Sequence, residues 1–112
     1  MNMNILFAVS GSFGDVAPYL SIAREAVKRG HTATVLSNEC WREKVESVGV
    51  VLEPVGEKFD ISKVREKMPD IMHPTKCWDE VWEKIVLPDF VQMNVECWKL
   101  VRSRSIDVVV AH

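Results

Sequence analysis

An α/β fold built on a parallel sheet is the architecture the sequence predicts, on three observations. Short apolar or β-branched runs alternate along the chain with stretches whose apolar residues recur at helical spacing. The first run, Ile5-Leu6-Phe7-Ala8-Val9, is apolar at every position, which suits a strand covered on both faces. It ends in Ser10-Gly11-Ser12-Phe13-Gly14, a glycine loop leading into a helix. Four strands joined by helical crossovers of the usual hand give the order 3-2-1-4, half of a doubly wound sheet with helices on both faces.

Each element has a local reason. After the first strand, Pro18 occupies a position where a helix can begin, because its missing N–H is not needed in a first turn. Leu20, Ile22, Ala23, Ala26 and Val27 then form a helical stripe, closed by Gly30 after Lys28-Arg29. Thr32-Ala33-Thr34-Val35-Leu36 is a second strand. Ser37-Asn38 offers a cap for a short helix from Glu39 to Val48, ended by Gly49. Val50 to Val55 is a third strand, placed near a sheet edge because Pro54 cannot donate to a ladder. Residues 56–76, with Pro69, Pro74 and many charges, read as a loop holding one short helix. Trp78, Val81, Trp82 and Ile85, then Phe90 or Val91, Val95, Trp98 and Val101, follow helical spacing. Pro88 between the two groups predicts a kink or the start of a second helix. The stripe implies that these tryptophans are mostly core, with one or two left to line an apolar groove. Ile106-Asp107-Val108-Val109-Val110-Ala111 is the fourth strand.

Composition bounds the possible functions. The 112 residues are 47% apolar and 27% charged, as in one ordinary globular domain. With 14 basic and 16 acidic side chains the net charge is −2, and the isoelectric point is about 5.9. Bulk charge therefore argues against a nucleic-acid binder or an anionic-membrane binder. No apolar run reaches the roughly 18–20 residues of a membrane span, and Met1-Asn2-Met3-Asn4 lacks the basic start of a signal peptide, so a cytoplasmic location is expected. Cys40, Cys77 and Cys97 are odd in number and far apart, and read as reduced thiols rather than a metal or dithiol site.

The chemistry-bearing segment is Gly11-Ser12-Phe13-Gly14-Asp15-Val16-Ala17-Pro18. It falls at the carboxyl end of the first strand, the edge where open α/β sheets bind ligands. Two glycines allow close backbone approach, and the following helix presents unpaired N–H groups and partial positive charge, so an anion or polar ligand suits the place. A dinucleotide fingerprint starting at Gly11 fails twice, at Phe13 and Val16. A flavodoxin-type phosphate loop is a poor match, because Phe13 stands where a hydroxyl residue is wanted. Asp15, just before a helix, suits a cap or dipole partner. Ser12 suits either closing the turn or binding a ligand. His31 suits a structural contact, and His112, at the end of the fourth strand, can face the same cleft as the glycine loop.

The loop together with Pro18-Tyr19-Leu20 resembles the opening of family 28 and related UDP-glycosyltransferases, enzymes with two Rossmann-like domains. Arg29-Gly30-His31, Thr34-Val35-Leu36, Val48-Gly49-Val50 with Leu52-Glu53-Pro54-Val55, and Asp107-Val108-Val109-Val110-Ala111 follow the same pattern in order. Residues 56–104 carry it only weakly. The resemblance implies an N-terminal domain that binds a small-molecule acceptor and a separate domain that holds the nucleotide-sugar, so this chain itself binds no cofactor and no metal. It implies transfer of a sugar to an acceptor hydroxyl, with Asp15 as a possible general base. Gly11, Ser12, Phe13, Gly14 and His112 are then the candidate acceptor-binding residues.

Such domains continue beyond a fourth strand, whereas this sequence stops at His112. The expectation is one truncated domain over residues 1–112, not competent for sugar transfer by itself, with a donor-domain subunit as a possible partner. An open Val108-Val109-Val110 edge predicts a homo-oligomer formed through strand 4. The other reading is a small non-catalytic α/β module that binds a partner or an anionic cofactor at its glycine loop.

Overall fold

The computed structural model describes residues 2–112. Its strands are β1 (Asn4–Ala8), β2 (Thr32–Ser37), β3 (Val51–Pro54) and β4 (Val108–Ala111). Its helices are α1 (Phe13–Lys28), α2 (Arg42–Ser47), α3 (Val64–Lys67), α4 (Cys77–Val81) and α5 (Leu87–Ser103). All pairings are parallel and the order is β3-β2-β1-β4, as expected. Ile5 lies opposite Ala33 and Val108, and Ala8 opposite Leu36 and Ala111, so the central strand is paired over its whole length.

The two-residue period of β1 divides the core. Ile5, Phe7 and Val9 face one way, with Ala33 and Val35, and meet Val16, Leu20 and Ala23 of α1 and Val45 of α2. Leu6 and Ala8 face the other way, with Leu36 and Val55, and meet Leu100 of α5, flanked by Met93, Cys97 and Val101. Leu6, Phe7 and Val9 are buried almost completely, and each contributes on the order of 1.5–3 kcal/mol by leaving water. β1 has no polar face because both of its faces are covered.

Helix α1 starts earlier than expected. Pro18 lies inside it, six residues past the N-cap Ser12, instead of opening it. The cause is the Ser12–Asp15 interaction, in which the Asp15 carboxylate accepts from the Ser12 N–H and closes the first turn upstream of the proline. Pro18 then leaves the Gly14 carbonyl without its helical donor, a loss tolerated at the exposed end of the helix. The far end follows the expected form. Gly30, at φ +88°, donates to the Val27 carbonyl, and His31 donates to Ala26. His31 also accepts the Met3 N–H at Nδ1, 3.0 Å away, the structural contact expected of it.

The stretch around Pro88 forms one helical path from Cys77 to Ser103. A π-helical segment, Trp82–Val86, joins α4 to α5, and Pro88 falls in the first turn of α5. Here the expectation of buried tryptophans is overturned. Trp78, Trp82 and Trp98 are 76%, 58% and 62% exposed. Two apolar stripes share this helix, and the sheet receives Met93, Cys97, Leu100 and Val101, which turns Trp98 and Val95 outward. Trp98 is instead stacked under the Arg102 guanidinium, 5.7 Å from its ring centre. At the sheet edge, Val108 and Val109 of β4 are exposed. Among the described residues no helix is long and apolar enough to cross a membrane.

Candidate functional site

β1 has β2 on one side and β4 on the other, so strand order reverses at β1 and a crevice opens beyond the carboxyl ends of β1 and β4. The glycine loop and His112 meet there. His112 continues the β1–β4 ladder by donating its backbone N–H to the Ala8 carbonyl at 3.2 Å, which pins its position beside the loop.

Gly11 adopts φ +122°, a conformation open mainly to glycine, and a β-carbon there would run into the Asp15 carboxylate. Asp15 Oδ2 accepts from the Ser12 N–H at 3.0 Å and from the Ser12 hydroxyl at 3.1 Å. Its other oxygen, Oδ1, lies 3.4 Å from Nε2 of His112. The remaining ring nitrogen of His112, Nδ1, is 3.2 Å from the Tyr19 hydroxyl, and the Tyr19 and His112 ring centres are 5.4 Å apart. The Ser12 backbone and side-chain hydrogen bonds, with a smaller contribution from His112, hold the Asp15 carboxyl below its ordinary value of 3.8.

Beside this cluster opens a cavity of about 990 Å³, between the glycine loop, the segment after β3 and the first half of α5. Phe59, Val64, Met68, Phe90, Met93 and Cys97 give it mostly apolar walls, and Ser10, Gly11, Ser12 and His112 form its polar end. The Ser10 hydroxyl donates to Asp89 of α5 and ties the two walls together. Trp41 also lines the cavity, and its buried indole Nε1 has no protein partner among the described residues. Burial pushes the Cys40 thiol on the same wall up, so it stays neutral. A shallower hollow of about 510 Å³ between Pro54–Gly56 and α5 lies away from the glycine loop.

The sequence-predicted site residues divide accordingly. Gly11, Ser12 and His112 line the cavity, whereas Phe13, Gly14 and Asp15 do not. Phe13 packs on Trp41, 5.7 Å between ring centres, with the Lys44 ammonium 3.8 Å above its ring. Gly14 is helical, and a β-carbon there would meet only the Ser12 hydroxyl at 3.6 Å. Asp15 reaches the site through His112. Tyr19 was missed, although its i, i+4 spacing from Asp15 puts both on one face of α1. The walls from residues 56–68 and from α5 carry no motif by which sequence reading could find them. Among the described residues no group of three His, Cys, Asp or Glu side chains is placed to hold a metal ion.

Residues 5–111 match the model of the glycosyltransferase family 28 N-terminal domain. The chain belongs to that family. Among solved structures, the domain superposes on the calicheamicin glycosyltransferase CalG4 with a TM-score of 0.69 at 19% identity, over 99% of this chain and 25% of that one. The glycosyltransferase of kitacinnamycin gives 0.64 at 21%, over 98% of this chain and 24% of that one. SsfS6, a Streptomyces sp. SF2575 glycosyltransferase, gives 0.64 at 20%, over 97% and 33%. A sterol 3-beta-glucosyltransferase of Saccharomyces cerevisiae (strain YJM789) is 36% identical over 45 residues, which is 40% of this family 28 domain and 4% of that protein. The domain thus spans a third or less of the length of each of these proteins.

The pH response of the domain follows from its carboxylates. Glu39 beside Arg42, Glu57 beside Lys67, Asp60 hydrogen-bonded to Ser62, and Asp15 all titrate below their ordinary values. In each case the folded state binds the proton more weakly than the unfolded state. The stability they add is complete above the ordinary carboxyl range and is lost as pH falls through the folded values. Thermal melts recorded from pH 7 downward should show this contribution decline below roughly pH 4; a melting temperature that rises on acidification through that range would contradict it.

Proposed function

We propose that this family 28 domain is the acceptor-binding part of a glycosyltransferase that moves a sugar from a nucleotide-sugar to a hydroxyl of a large apolar acceptor. The observation that carries the reading is the 990 Å³ cavity, whose wall is mostly apolar, with Lys58, Lys63 and Lys84 among the charged side chains on it, and which ends at Ser12 and His112. Its volume falls at the upper end of the range for small-molecule sites, about 300–1,000 Å³. An alcohol with a rigid hydrocarbon body, of which a sterol is one kind, fills such a space and brings its hydroxyl to the sheet edge. The sterol 3-beta-glucosyltransferase relative supports that class of acceptor.

In this reading the nucleotide-sugar arrives on a separate donor-binding domain, and this chain alone transfers nothing. Apolar contacts orient the acceptor, the cavity walls exclude water from its hydroxyl, and the Asp15–His112 pair receives the proton that leaves. The exposed Val108–Val109 edge of β4 supports association through that strand, with a second copy or with the donor-binding part. The alternative of an anion held at the start of α1 is disfavoured, because the Asp15 carboxylate already occupies that positive end.

The test is a titration of the chain with methyl-labelled methionines. A soluble sterol-type alcohol should shift Met68 and Met93 saturably, a UDP-sugar should leave both unmoved, and light scattering should report an assembly larger than one chain. A response to the UDP-sugar without one to the alcohol sinks the acceptor reading, and a clean monomer at micromolar concentration sinks self-association.

A further inference from the structure

We propose that His112, through Nδ1, takes the proton from the acceptor hydroxyl, and that Asp15 is a positioning residue which sets the imidazole tautomer. The inference rests on the acceptor-binding reading above and assigns the roles within that site.

Asp15 is poorly placed to act directly. It does not line the cavity, and its Oδ2 already accepts two hydrogen bonds from Ser12. The same contacts lower its proton affinity. Its free oxygen, Oδ1, points to Nε2 of His112 at 3.4 Å. An ionised carboxylate only accepts, so its approach favours the imidazole tautomer with N–H at Nε2, which leaves the lone pair at Nδ1. Nδ1 lies 3.2 Å from the Tyr19 hydroxyl, which therefore donates to it. The Tyr19 hydroxyl, which does not itself line the cavity, is the group an acceptor hydroxyl must displace from Nδ1. His112 itself lines the cavity, and its backbone is fixed by the bond to Ala8. The carboxylates that do line the cavity are engaged elsewhere: Asp89 by the Ser10 hydroxyl, Glu57 by the Lys67 ammonium and Asp60 by the Ser62 hydroxyl.

The step balances as follows. The acceptor hydroxyl displaces Tyr19 from Nδ1, its O–H bond breaks, and the proton passes to Nδ1. The oxygen forms a bond to the anomeric carbon of the nucleotide-sugar. The bond from that carbon to the diphosphate breaks, and its electron pair leaves with the nucleoside diphosphate. The imidazolium that remains is paired with the Asp15 carboxylate and returns its proton to water after the product departs.

The test reads the tautomer directly, in the ¹⁵N-labelled chain by long-range ¹H–¹⁵N correlation at neutral pH, with no ligand. His112 should show a protonated Nε2 and a pyridine-like Nδ1. In Asp15→Asn the single carbonyl oxygen remains on Ser12 and the amide faces Nε2 as a donor, so the proton should move to Nδ1. Tyr19→Phe should keep the wild-type tautomer. A wild-type ring protonated at Nδ1, or a folded Asp15→Asn chain with an unchanged tautomer, overturns the assignment. If Asp15→Asn does not fold, the wild-type and Tyr19→Phe spectra still decide it. Saturation with a sterol-type alcohol should further move the Nδ1 resonance. Binding that shifts Met93 but leaves Nδ1 unmoved overturns the role of His112 alone, whereas an alcohol that does not bind at all overturns the acceptor reading and this assignment with it.

Discussion

Replacing Gly11 with alanine should lower the melting temperature by roughly 10 °C and detach Asp15 from both of its partners. Two effects add. At φ +122° a residue with a β-carbon is strained by about 1–3 kcal/mol relative to glycine. The new methyl also occupies the space of the Asp15 carboxylate, so either the loop or Asp15 must move. Movement of Asp15 frees the Ser12 N–H at the start of α1 and removes the partner of His112. Gly14→Ala is the control. Gly14 is already helical, its β-carbon meets only the Ser12 hydroxyl at 3.6 Å, and alanine is the better helix former, so the melting temperature should hold or rise slightly. Thermal melts of the two variants side by side check this; equal stability would mean that the loop does not need its positive φ at Gly11.

This pair of glycines also shows where sequence reading works. Both read as loop residues in the sequence, because a glycine loop after an all-apolar strand has few alternatives, but the structure leaves only Gly11 in the loop, at positive φ, and places Gly14 in the first turn of α1. The sheet order was legible for a similar reason. β1 must be covered on both faces, β3 carries Pro54 at an edge, and parallel crossovers leave little freedom. The start of α1 was not legible, because Pro18 is a strong local signal for a first turn and the competing signal, Asp15 three residues after Ser12, is a short-range hydrogen bond whose formation depends on Gly11. The cavity was illegible for a different reason. Its walls are assembled from the segment after β3 and from α5, elements that meet only through the tertiary fold, and the apolar stripe that meets the sheet is Met93, Cys97, Leu100 and Val101, not the more conspicuous tryptophan stripe. Helical periodicity shows that a helix has an apolar face; with two such faces, it does not show which one the sheet takes.

That ambiguity yields the second large effect. Cys97→Trp should weaken binding of an apolar alcohol by roughly two orders of magnitude while the fold is kept. Cys97 packs at the margin of the core on the α5 side of the sheet and lines the cavity, so a larger side chain there extends into open space. If the indole removes about 100 Å² of apolar ligand contact, the loss at about 25 cal/mol per Å² is roughly 2.5 kcal/mol, close to two decades in affinity. Any strain in the chain should remain within the 1–3 kcal/mol typical of an overpacked site. The companion variant is Trp98→Ala, one residue along the same helix. Trp98 is 62% exposed, stacks with Arg102 and takes no part in the cavity, so its removal should leave the affinity unchanged. The two substitutions differ by a single position and by about 100° around the helix axis, which makes the comparison a direct reading of which face the acceptor uses. If Trp98→Ala weakens binding and Cys97→Trp does not, the exposed tryptophan ridge is the acceptor surface, and the cavity between the glycine loop and α5 is not.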